Sequence, residues 1–446
     1  MLGLINNIYI LATIILYITL SIKITANYPL VIFFTIFTSI IYYKTLSINS
    51  NLQDKFYNRR YLRIEVFLYV LFFMVIQNSI SYIYNDNFYM FSFSDAYLYH
   101  RLTLEILDMS YIEGIKHYLS FMDVDDLGII LVLYPLYKIY VSNLMLNLLY
   151  LFISVISAVS IFGLSSNFMT KKYAFLSSLS YSISSFVLFF NSTGLKESLM
   201  VMFVLLAFEF YYKFIYTKNS LYLISSFIFL GTLFLFRPAI AMMIVAGIVI
   251  TSLVTREGNL TIKVGSILIL LGAVAMIGTI ITMVNIYTTG GVDTLIEARE
   301  SQGMVIGGVG FTYAVNILSQ TIGPIPTLIS DSKVSTMFYA SGLIYRMLLA
   351  IPFWLGVFYI FKKGFTSLYP ISLFIIFEMS ALTFLMDGLE LRKAISHIPF
   401  IFIVAFWFLD KYDRDLIKIK RKRLFKEFFY TSVISLIFII YYWNNR

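Results

Sequence analysis

Ionisable side chains are scarce in this sequence, so those beside or inside apolar runs are the ones whose chemistry needs a reason. Hydrophobic types make up 60% of the 446 residues and charged types only 13%. Against that background, NSTGLKESL (191–199) sets Lys196 and Glu197 between two apolar stretches. LFRPAI (235–240) sets Arg237 at the next turn, and Arg346 sits almost two turns inside the apolar run that begins near Phe338. Arg299 stands in IEARES, and DGLELRKAISH (387–397) contributes Asp387, Glu390, Arg392, Lys393 and His397. SDAYLYHRLTLEILD (94–108) adds Asp95, His100 and Arg101. A guanidinium fork matches phosphate oxygens, and an ammonium supplies a point charge to the same group. Lys196, Arg237, Arg299, Arg346 and Arg392 are therefore the candidates for holding a diphosphate. Carboxylates and imidazoles accept protons near neutral pH, which makes Asp95, His100 and Glu197 the candidates for proton transfer.

Each residue also has a plainer reading. Lys196 and Glu197 suit an interfacial pair at a hairpin tip, and Arg237 suits a side chain snorkelling to lipid headgroups. Asp95 and His100 suit a helix-start acid and an interfacial histidine. Arg346 is the hardest to dismiss, because an unpaired charge in hydrocarbon costs several kcal/mol; its plainer reading is an internal ion pair.

Several chemistries are excluded by what the chain lacks. With zero cysteines there is no disulfide, thiolate nucleophile or Cys-ligated metal. Three scattered histidines, His100, His117 and His397, make no metal-ligand spacing. There is no phosphate-binding glycine loop of the Walker type, no HExxH and no GxSxG elbow. No cofactor is called for, and a divalent metal is left open.

The elements that must carry these residues are membrane helices. Mean hydropathy is +0.84, and no water-soluble fold hides that much apolar surface. A helix needs about 20 apolar residues to cross a bilayer. The sequence predicts an all-α polytopic membrane protein of about thirteen spans, near 4–22, 29–43, 64–84, 142–165, 174–191, 198–212, 220–236, 238–255, 264–286, 338–360, 367–386, 395–409 and 427–443. The 35 Tyr and 43 Phe suit lipid-facing and interfacial positions. No signal peptide, internal repeat or soluble domain is expected, and residues 1–446 read as a single membrane domain. The formal net charge of +9 reads as topology and not as nucleic-acid binding. Most of the Lys and Arg fall in alternate loops, which the positive-inside rule makes cytoplasmic, with the N-terminus on that side. Leu127–Tyr140 then has to be an interfacial or re-entrant helix interrupted at Pro135, since a full span there would invert every later loop. Two long outer loops follow, 85–141 and 287–337. The first carries a short amphipathic helix over Ser94–Asp108 with a serine cap, and the second is rich in glycine turns and GPIP.

These landmarks resemble the bacterial membrane polysaccharide polymerases, of the kind that extend O-antigen, capsule or exopolysaccharide chains, and the related lipid-carrier-dependent glycosyltransferases. The likeness rests on SDAYLYH, NSTGLKESL, the LFRP turn and the late GPIP, spread over residues 90–330. It implies transfer of a saccharide from an undecaprenyl-diphosphate carrier at the outer face of the bacterial inner membrane. It further implies Asp95 as the acid of the first outer loop and outer-loop arginines, here Arg299 and Arg346, on the diphosphates. The implied partners are polyprenyl-diphosphate-linked oligosaccharides and a chain-length regulator. A single-sugar transferase using a polyprenyl-phosphate donor and a flippase or exporter of lipid-linked saccharide remain as alternatives. One departure stands out: the first large outer loop follows the third span here, whereas the related glycosyltransferases place theirs after the first.

Overall fold

A computed structural model describes residues 2–23, 29–86, 95–120, 126–255, 308–321, 334–385 and 391–414, with single positions between 297 and 305. Among the described residues all regular structure is helical. The helices are α1 (Leu2–Lys23), α2 (Pro29–Asn49), α3 (Arg59–Asn85), α4 (Asp95–Glu105), α5 (Tyr111–Leu119), α6 (Leu127–Ile139), α7 (Asn143–Ser165), α8 (Lys171–Ser182), α9 (Ser185–Ser192), α10 (Lys196–Thr217), α11 (Ser220–Leu233), α12 (Pro238–Val254), α13 (Val309–Ser319), α14 (Val334–Lys363), α15 (Tyr369–Phe384), α16 (Leu391–Ala394) and α17 (Ile398–Asp413).

Six segments among the described residues are long and apolar enough to cross a membrane: Pro29–Asn49, Arg59–Tyr84, Leu144–Ser165, Lys196–Thr217, Ser341–Lys363 and Thr366–Phe384. They become seven if the bent pair α8–α9 counts as one. The protein is thus a helical membrane protein, and among the described residues six or seven of the thirteen expected spans are present as helices of that length. Length is the reason for part of the difference. At 1.5 Å per residue, α11 and α12 reach about 21 and 26 Å, short of a hydrocarbon core about 30 Å thick. The span expected at 395–409 corresponds to α17, whose residues from Phe400 to Leu409 are all closed off inside the protein. A helix apolar on every side belongs in such a setting. The spans expected at 264–286 and 427–443 fall outside the described residues.

The chain divides into two compact units. The first comprises Met1–Pro238, Pro326–Leu349 and Leu409–Ile417, and the second Ala239–Ile325, Ala350–Phe408 and Lys418–Arg446. In the first unit, α7 packs against α3, α8 and α10, and α10 packs against α11. The expected span at 174–191 is not one helix. It breaks between α8 and α9 with a bend of 51°, and nearly every residue on both sides is buried. At the break Ser184 N–H donates to Tyr181 O, and the Ser180 carbonyl accepts from the Tyr42 hydroxyl of α2 at 3.0 Å. Buried backbone groups freed by a bend must find such partners. Gly342 of α14 lies against the same break: its N–H donates to Ser185 Oγ at 2.8 Å, and a Cβ there would come within 2.9 Å of Ser185 N.

The other end of α8 is held by a distant carboxylate. Asp410 accepts from Thr170 N–H at 3.1 Å and from Thr170 Oγ1 at 2.9 Å. That supplies the N-terminal cap which Thr170's own side chain does not make. Tyr173 bonds to Asp413 beside it. In the second unit, Gly247 of α12 approaches the Pro370 carbonyl of α15. Glu378 of α15, buried, takes a bond from Ser396 and faces His397 Nδ1 at 3.4 Å.

Candidate functional site

Four stretches of the first unit meet around the start of α10. Lys196 and Glu197 occupy its first turn and are both buried. Glutamate there suits the positive end of the helix dipole, whereas lysine does not. Lys196 is stabilised instead by an ion pair with Asp126, at the start of α6. Asp126 is the N-cap residue of α6, yet its side chain makes no bond to its own helix. Its Oδ1 accepts from both Lys196 Nζ and the Tyr99 hydroxyl of α4, the latter at 2.9 Å. The Lys196 ammonium also reaches the Phe236 carbonyl at 3.4 Å, directly before Arg237.

The LFRP turn is fixed by backbone geometry. Phe234, Leu235 and Phe236 donate in succession to the carbonyls of Gly231, Thr232 and Leu233, a 3₁₀ closure of α11 that spends its last free carbonyls. Pro238 then opens α12 at a position where a missing N–H costs nothing. Gly128 N–H donates to Leu235 O at 2.8 Å. A Cβ on Gly128 would lie 2.5 Å from the Phe236 ring, so only glycine lets α6 start against this turn. Arg237 is half-buried beside it.

Helix α4 forms where the amphipathic segment was expected. Asp95 stands in its first turn, half-buried; the serine expected to cap it lies outside the described residues. The Tyr99 hydroxyl is held far above its ordinary range, first by burial and then by the charges of Asp126, Glu197 and Asp95. It therefore keeps its proton and donates it only as a hydrogen bond to Asp126, with the charges of Glu197 and Asp95 also felt. His100 Nδ1 meets the Tyr137 hydroxyl at 2.9 Å, with the rings edge to face. Burial lowers the His100 imidazole below its ordinary value, which favours the neutral form that accepts a proton.

Helix α6 is continuous from Leu127 through Ile139 with Pro135 inside it, which corrects the expected interruption at that residue. The Leu131 carbonyl, which loses its helical donor to Pro135, accepts instead from the Tyr111 hydroxyl at 3.3 Å. At 13 residues α6 is about 20 Å long, shorter than a bilayer's hydrocarbon core. Tyr134 bonds to the Met109 carbonyl, and α5 opens with a Ser110–Glu113 capping box.

Asp95, His100, Lys196, Glu197 and Arg237 thus fall in one region. The remaining sequence candidates are Arg346, Arg392 and Arg299. Arg346 is completely buried in α14. It lies one turn beyond Gly342, on the face that backs onto Ser185. Arg392 is half-buried in α16, in the second unit, and Arg299 lies outside the described residues. Asp126, Tyr99 and Tyr137 were missed. An acid immediately before an apolar helix (DLGIIL) is an N-cap signal, and that alone could have drawn attention to Asp126.

Among the described residues no group of three His, Asp or Glu is placed to hold a metal ion. The class that the fold defines is a helical membrane protein with an ionisable cluster at one end of α10. No family model matches the chain, and no curated protein is similar to it.

Proposed function

We propose that the chain is a bacterial inner-membrane glycosyltransferase that polymerises undecaprenyl-diphosphate-linked oligosaccharide repeat units at the outer face, with its N-terminus in the cytoplasm. The observation that supports this reading is the gathering of Lys196, Asp126, Tyr99, Glu197 and Asp95 beside Arg237 in a largely apolar protein. A lipid-linked saccharide is already activated by its diphosphate. Its transfer requires charge stabilisation of the leaving group and a base for one sugar hydroxyl. Lys196 and Arg237 serve the first need, and Asp95, Asp126, Glu197 or neutral His100 the second. In the reaction the acceptor hydroxyl oxygen bonds to C1 of the donor sugar while its proton passes to the base. The C1–O bond breaks, and the polyprenyl diphosphate leaves with the electron pair. The region carries both signs of charge at short range, as acid–base chemistry needs; a purely cationic funnel would serve transport alone.

The test is chain extension in a null strain complemented with Arg237→Ala. The expected result is loss of the polymer ladder on gels while the protein still reaches the membrane. A wild-type ladder removes Arg237 from the chemistry. If the wild-type gene adds one sugar and no ladder, the single-sugar transferase replaces the polymerase. If lipid-linked units change side without changing size, the flippase replaces both.

A further inference from the structure

Asp126 directs its carboxylate away from its own helix. It directly precedes α6 with its backbone already in the right-handed helical region (φ −107°, ψ −5°), and its side chain makes no capping bond to that helix. Its carboxylate turns to Lys196 and Tyr99, both of which donate to the same oxygen, Oδ1. The Asp126 side chain keeps 23% of its surface exposed, against 7% for Lys196. The acid is therefore the more solvent-accessible partner of the pair. Lys196 also touches the Phe236 carbonyl, one residue before Arg237.

From these contacts we infer that Asp126 is a built-in competitor for an anion site formed by Lys196 and Arg237, whose ligand is a diphosphate. The inference rests on the proposed function for the identity of the ligand's carrier. In the resting protein the Asp126 carboxylate occupies the position an anionic ligand takes on Lys196. A diphosphate brings more charge than one carboxylate, spans from the Lys196 ammonium towards Arg237, and displaces Asp126 towards solvent. A singly charged anion cannot compensate for the lost pair in the same way, so the arrangement selects for diphosphate and keeps the lysine neutralised while the site is empty. Because two like-signed groups share one cation, the acid and the ligand weaken one another's hold, a reciprocal coupling.

The test uses the full-length protein in detergent with inorganic pyrophosphate and, in parallel, farnesyl diphosphate. Asp126→Asn is expected to bind either probe about tenfold more tightly than wild type, and Lys196→Met to lose binding. Stronger binding of the prenyl form marks the carrier as a lipid, and equal binding marks it as a free diphosphate. Asp126→Asn binding no more tightly than wild type overturns the inference. A second measurement needs no variant: carbodiimide labelling of Asp126, read by mass spectrometry, should rise when pyrophosphate is added to the wild-type protein. Unchanged or reduced labelling also overturns it. Failure of the polymerase reading shows elsewhere, as a wild-type protein that binds diphosphate competitively with Asp126 but extends no chain.

Discussion

The two ends of α10 carry similar residues in opposite arrangements. At the C-terminal end, Glu209 is buried with both oxygens engaged. Oε1 faces Lys213 at 2.8 Å and Arg59 at 3.8 Å, and Oε2 accepts from Ser160 at 2.6 Å. Lys213 lies one turn after Glu209, at a spacing that favours the pair. At the N-terminal end, Lys196 opposes the dipole, and its partner Asp126 places both donors on a single oxygen. The first cluster ties α3, α7 and α10 together. The second sets a lysine against the helix dipole, and conflicts of this kind gather at functional sites. The difference teaches that charge count alone does not separate a structural network from a reactive one; how fully each carboxylate is engaged does.

Substitutions at the two ends should therefore have opposite signatures. The largest contrast is expected for Lys196→Met. Chain extension should be abolished while the melting temperature in detergent stays close to wild type, since the released Asp126 carboxylate has solvent at hand. A large loss of thermal stability with retained extension would reverse the assignment of the two ends. Next comes Glu209→Gln, which should destabilise the protein by about 1–2 kcal/mol. That is less than breaking a fully buried pair, because Arg59 and Lys213 are partly exposed. Extension per folded molecule should be unchanged, as read by thermal melts alongside an elongation assay.

His100 gives a smaller, pH-dependent effect. Burial lowers its imidazole below the ordinary value, so the neutral form persists on mild acidification and is lost only below the usual histidine range. The acid limb of the elongation profile should lie there, and His100→Gln should flatten it. An unchanged profile in the variant removes His100 from the proton transfer. The smallest effect is expected for Lys213→Met, a few tenths of a kcal/mol as for other i,i+4 pairs, with wild-type ladders.

Much of this site was legible in the residues themselves. NSTGLKESL and LFRP stood out because charge between apolar runs is costly, and the amphipathic stretch after Ser94 read correctly as a helix. Other parts were not legible. SSLSYSISS holds six serines in nine residues, whose hydroxyls compete for backbone groups, but with no proline or glycine the stretch does not by itself place the 51° break between α8 and α9. Pro135 looked like an interruption because its cost is set locally, whereas its remedy, the Tyr111 hydroxyl, comes from another helix. One partner of Lys196, Asp126, lies 70 residues away, where no local pattern points to it.

By itself the sequence determined that this chain lives in a membrane, that its regular structure is helical, and which few ionisable residues had to be explained. Those properties follow from composition and from the periodicity of apolar runs, which act along the chain. Only the tertiary structure decided which carboxylate neutralises Lys196, that Arg346 is buried at the level of the helix break, and that α17 runs inside protein. Those outcomes depend on which helices pack together. In an apolar medium many helix faces are nearly equivalent, and the few polar contacts between distant segments settle the arrangement.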